Sequence, residues 1–122
     1  MLGCSLGAVI SIYASARFPV SFSRIGCCSL ASWGNEDAFL EYLRKNQPDP
    51  QTRYFIRVGL NEGVPRNLLR LGNCYPKMSE DLVQVLQELG VTSIDFKENL
   101  SRAHKTCEWE KDMPSFMDWL FK

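Results

Sequence analysis

The chain has 122 residues, 45% of them hydrophobic, with 14 basic against 14 acidic side chains and a single histidine. That length suits one small domain, residues 1–122, and that apolar fraction supports a packed core, which excludes a disordered tail. The opposite charges cancel and are scattered, so no basic stripe is present to follow phosphates and no nucleic acid partner is expected.

Cys4, Cys27, Cys28, Cys74 and Cys107 are odd in number and lack CxxC spacing, which suggests neither a disulfide framework nor a metal site. They suit a reducing compartment, and a cytoplasmic location is expected. The apolar start MLGCSLGAVISIYA has no basic segment before it and is interrupted by Arg17 and Pro19, short of the ~20 residues that span a bilayer. Neither a targeting peptide nor a membrane partner is expected.

In chain order, Leu6 to Phe18 is small or apolar on all sides, as in a mostly buried helix that Pro19 ends. Ile25 to Ser29 is a short apolar run between turn formers and predicts a buried strand, followed by a loop from Leu30 to Gly34. Asn35 is a suitable N-cap. Glu36 and Asp37 oppose the dipole of a helix whose apolar face is Phe39, Leu40 and Leu43, and Arg44 and Lys45 close its last turn.

Arg53 to Val58 (RYFIRV) is the strongest strand and stops at Gly59, which puts Asn61, Glu62 and Gly63 just beyond a strand's carboxyl end. Pro76, then Met78, Leu82, Val85, Leu86 and Leu89 at spacings of three and four, then Gly90, predict an amphipathic helix. Ser93 to Glu98 alternates as a strand, and Asn99 to Lys105 is a polar loop holding His104. Trp109, Met113, Phe116, Met117 and Leu120 form the inward stripe of one closing helix. Strands alternating with helices in this way predict an α/β fold: a parallel sheet with helices packed on its faces and functional loops at the strands' carboxyl ends.

Gly3-Cys4-Ser5-Leu6-Gly7 matches GxSxG, the nucleophile elbow, where a serine sits on a sharp turn between strand and helix. A Cβ at either glycine is expected to crowd that turn. The backbone N–H of Leu6, at the start of the following helix, is then available to an oxyanion. The order Ser5, Glu62, His104 is that of α/β-hydrolase triads, with nucleophile, acid and base each placed after a strand.

Three stretches carry a family resemblance: GCSLGAVISIYASARFPVSFSRIGCCS, YFIRVGLNEG and AHKTCEWEKDMPSFMDWLF. They resemble the elbow, the acid loop and the histidine loop of the Putative esterase family, which includes enterobactin esterases, feruloyl esterases and S-formylglutathione hydrolases. The resemblance implies a three-layer α/β/α domain, the C-terminal half of an α/β-hydrolase fold. It implies Ser5 as nucleophile, His104 as base and Glu62 as acid, acting on a small-molecule carboxylic or thio ester without metal or organic cofactor. It also suggests Trp33, within Ser29 to Trp33, on the substrate side.

The departure from the family is at the start, where only Met1 and Leu2 precede Gly3. Relatives have a long segment there, supplying the first strands and usually a second oxyanion donor. An N-terminally truncated domain is therefore expected, with Ile25 to Ser29 as an edge strand and Val9, Ile10, Ile12 and Tyr13 partly in water. Its partner is expected to be the missing half or a second copy. Two other readings stay open: a truncated, non-catalytic piece or subunit of such an esterase, and a small α/β binding domain whose helix N-terminus holds an anion.

Overall fold

In the computed structural model, which describes residues 1–63 and 74–122, four parallel strands lie in the order β1-β2-β3-β4. They are β1 (Leu2–Cys4), β2 (Arg24–Cys28), β3 (Arg53–Gly59) and β4 (Ile94–Asn99). The helices α1 (Leu6–Arg17), α2 (Glu36–Asn46) and α3 (Tyr75–Glu88) connect successive strands, and α4 (Thr106–Glu110) and α5 (Met113–Phe121) follow β4.

Alternation along β3 divides the core. Tyr54, Ile56 and Val58 point to one face and pack with Ile12 of α1, Leu43 of α2 and Leu82 and Leu86 of α3. Phe55 points to the other, where Phe116 and Leu120 of α5 cover it. β3 therefore has apolar side chains on both faces, as an interior strand of a parallel sheet requires. The result is the three-layer α/β/α arrangement, with α1, α2 and α3 on one side and α5 on the other. Among the described residues, no helix is long and apolar enough to cross a membrane.

Three sequence expectations are corrected here. The strand leading into the elbow is present: Leu2, Gly3 and Cys4 pair with Gly26, Cys27 and Cys28, so β2 is an interior strand and β1 the edge. Three residues are too few to show a period, and the strand exists because β2 offers it a partner. Second, Ile12 is fully buried on the inner face of α1, while Ile10 and Tyr13 are 57% and 41% exposed. Third, the closing helix is two helices, α4 and α5, and Met117 faces solvent while Phe116 and Leu120 turn inward. Elsewhere, Gly90 stops α3 with φ of 85°, a conformation that favours glycine, whereas Asn35 precedes α2 without a capping side-chain hydrogen bond.

The α5 side also buries charge. Arg57 of β3 donates to the Asp95 carboxylate at 2.7 Å, and its guanidinium lies over the Phe55 ring. Asp112, at the start of α5, takes Arg102 as partner and lies 4.0 Å from Arg57 Nε. These groups tie β3, β4, the loop after β4 and α5 together. Asp112→Ala takes from Arg102 its carboxylate partner, while Arg57 keeps Asp95, and should lower stability by about 3 kcal/mol in urea unfolding. A change under about 1 kcal/mol would show that water replaces the carboxylate.

Candidate active site

Each strand delivers one polar side chain at its carboxyl end: Ser5 after β1, Ser29 after β2, Glu62 beyond β3 and His104 beyond β4. Consecutive parallel strands end at the same edge of the sheet, which is why residues far apart in sequence meet there.

Ser5 occupies the turn between β1 and α1 with φ 57° and ψ −123°, a region that side-chain-bearing residues seldom adopt. Its N–H continues the ladder by donating to Cys28 O at 2.9 Å. The turn is tight at Gly3, where an added Cβ would lie 1.9 Å from Gly7 O. Gly7 differs from the sequence expectation, since a Cβ there would meet nothing within 4 Å. Leu6 is the first residue of α1, so its N–H has no carbonyl one turn back within the helix.

The imidazole of His104 joins Ser5 to Glu62. Nε2 lies 3.0 Å from Ser5 Oγ, and Nδ1 lies 2.8 Å from Glu62 Oε2. Glu62 is only 1% exposed, and its other oxygen, Oε1, accepts from Gly59 N–H and from Ser29 Oγ–H, both at 2.6 Å. Ser29 Oγ in turn accepts from the indole N–H of Trp109 at 2.8 Å. Two aromatic rings hold the imidazole: Tyr75 lies tilted against it with centroids 4.5 Å apart, and Trp109 meets it edge-on at 5.0 Å. Burial pushes the Tyr75 hydroxyl above its usual range.

The loop carrying His104 is fixed from beneath. Leu60 N–H donates to Asn99 O and Asn61 N–H to Arg102 O, and Gly59 lets that loop approach, since a Cβ there would lie 2.2 Å from Arg102 O. The three residues singled out in sequence thus form one hydrogen-bonded chain. Trp33 is not part of it. It is half-buried and lines a mostly apolar groove with Leu6, Val9, Tyr13 and Phe39. Sequence reasoning missed Ser29, Tyr75 and Trp109 as site residues. Trp109 carried a signal, a polar N–H on an otherwise apolar stripe close after the histidine. All five cysteines are free, and among the described residues no cluster of side chains is suited to a metal ion.

The family model "Putative esterase" matches residues 1–111. The chain belongs to this esterase family. A relative from Bacillus subtilis (strain 168), the "Uncharacterized protein YbbA", is 26% identical over 128 aligned positions, which cover 99% of this chain and 48% of that protein. Among solved structures, a ferulic acid esterase superposes with a TM-score of 0.69 at 12% identity, covering 98% of this chain and 50% of that one. S-formylglutathione hydrolase (FrmB) from Staphylococcus aureus gives 0.67 at 12% identity, with 98% and 49% covered. Siderophore hydrolase EstB from Aspergillus nidulans gives 0.63 at 17%, with 94% and 47% covered. At such identities the structural matches establish the shared fold alone, an α/β fold on a parallel sheet. The chain spans about half the length of these relatives.

Proposed function

We propose that this chain carries the reacting groups of a serine ester hydrolase, with Ser5 as nucleophile, His104 as general base and Glu62 as the orienting acid. The observation that carries this reading is His104 Nε2 at 3.0 Å from a serine on an elbow, with Nδ1 at 2.8 Å from a buried carboxylate. A general base must lie within about 2.6 to 3.2 Å of the proton it takes, and this one does.

In the proposed reaction Nε2 takes the Ser5 proton as Oγ bonds to the carbonyl carbon of a carboxylic or thio ester. Negative charge moves to the carbonyl oxygen, where the Leu6 N–H is one donor. Collapse breaks the ester bond, and the leaving alcohol or thiol takes the proton from Nε2. Water, deprotonated by the same nitrogen, then attacks the acyl-serine and frees the acid. The apolar groove carrying Trp33 next to Leu6 is the proposed seat of the substrate's apolar group. None of these steps calls on a metal or organic cofactor.

A fluorophosphonate probe tests the reading directly, because it reacts with an activated serine and passes over an inert one. The full chain should be labelled at Ser5. An unlabelled, folded protein would sink the assignment and favour the reading of a non-catalytic domain.

The half-length coverage supports a further element of this reading, that ester turnover is completed by a partner segment equivalent to the other half of these relatives. The proposed seat is the β1 edge and the neighbouring face of α1, where Leu6 and Ile10 are 62% and 57% exposed. An unpaired strand edge with apolar side chains beside it is a template for association. Sedimentation of the 122-residue chain should show self-association that the added segment suppresses. A stable monomer that turns over esters unaided would overturn this.

A further inference from the structure

We propose that Ser29 is a positioning residue, locked in place by Trp109, that aims Glu62 and through it selects the tautomer of His104; the proposal rests on the esterase reading of the same site. Ser29 is 1% exposed and holds φ at 55°, a conformation uncommon for a residue with a side chain and costing on the order of 1 kcal/mol. That backbone sends its hydroxyl to the Glu62 carboxylate at 2.6 Å.

The direction of each bond follows from what the groups can do. An indole N–H only donates, so the Trp109 contact at 2.8 Å makes Ser29 Oγ the acceptor there. The one hydroxyl proton is then directed at Glu62 Oε1, which also receives Gly59 N–H at 2.6 Å. With Oε1 occupied by two donors, Oε2 is the oxygen left for His104, and Nδ1 must carry the proton it shares with Oε2. Nε2 is thereby left with its lone pair toward Ser5, the tautomer a base requires.

The indole is in a position to coordinate the arrangement, because it both donates to Ser29 and packs edge-on against the imidazole. Without the Ser29 hydroxyl the carboxylate keeps one backbone donor, and it can rotate about its terminal bond and present either oxygen to the imidazole.

The chain has one histidine, so a ¹⁵N spectrum of the imidazole reports His104 alone, with no need for turnover. Ser29→Gly is the chosen variant, since glycine accepts the positive φ and the fold is kept, as urea unfolding would verify. Trp109→Phe keeps the ring and removes only the N–H. The wild-type chain should show the Nδ1–H tautomer and a sharply resolved hydrogen-bonded proton. Ser29→Gly should give mixed tautomers and about ten- to a hundredfold slower fluorophosphonate labelling, the scale of a slightly misplaced reacting group. Trp109→Phe should fall between the two. A wild-type tautomer pattern and labelling rate in both variants would overturn the proposal. If the wild-type chain is not labelled at all but its tautomer still depends on Ser29, the positioning role stands and the esterase reading fails.

Discussion

Ser5→Ala and His104→Ala should each reduce fluorophosphonate labelling, and any ester turnover, by at least about a thousandfold, because removing either member of a nucleophile–base pair removes nearly the whole effect. On the proposed reading the hydroxyl and the imidazole act as one unit: without the imidazole at 3.0 Å, Ser5 would keep its proton, and without Ser5 the imidazole would have no oxygen to activate. The double variant should therefore be no worse than either single one. Glu62→Gln should lose less, since the imidazole stays packed between Tyr75 and Trp109. Initial rates of labelling and of aryl-ester hydrolysis measure all four. Ser5→Ala activity equal to wild type would end the nucleophile assignment.

Gly3→Ala should be the most destabilising single-methyl addition near the site. The new Cβ would sit 1.9 Å from Gly7 O and 2.2 Å from Gly7 C, which are backbone atoms of the first turn of α1 and cannot rotate away. Either β1 leaves its pairing with β2 or α1 shifts off the sheet, and Ala8 and Ile12 on its inner face lose their burial. A loss above about 4 kcal/mol in urea unfolding is expected, the range reserved for backbone and core disruption. Gly7→Ala is the control: its Cβ meets nothing within 4 Å, so that variant should stay within about 1 kcal/mol of wild type. Equal stability of the two would mean that the elbow tolerates a wider turn than its geometry allows.

Much of this arrangement can be read from local pattern. RYFIRV announces β3 because its residues suit a strand buried on both faces, and Gly90 announces the end of α3 because its φ of 85° favours glycine. Ser5 could be singled out by its GxSxG setting, and Glu62 and His104 because each follows a strand-like run, and parallel strands bring such positions to one edge. Other features depend on distant partners and leave no local trace. Leu2–Cys4 is a strand only because Gly26, Cys27 and Cys28 stand beside it. Ser29 looks like the last residue of β2, and nothing around it in sequence announces a positive φ or a carboxylate arriving from beyond β3. Trp109 reads as one more apolar position of a closing helix until the break between α4 and α5 separates it from Phe116 and Leu120.

The backbone at Ser5 has a consequence for how such a protein ages under mutation. A φ of 57° with ψ of −123° is held against the residue's own preference, at about 1 to 3 kcal/mol, by the surrounding ladder and helix. Alanine at this position would inherit that opposition, whereas glycine would be released from it. Ser5→Gly should therefore unfold at a higher urea concentration than Ser5→Ala, by roughly 1 kcal/mol once the greater freedom of the unfolded glycine chain is subtracted. On the proposed reading, the nucleophilic hydroxyl sits at one of the positions where the backbone is held at a positive φ, with Ser29 and Gln47 the others among the described non-glycine residues. Drift toward greater robustness, unopposed by any need for chemistry, would begin by exchanging the serine for the residue that cannot react.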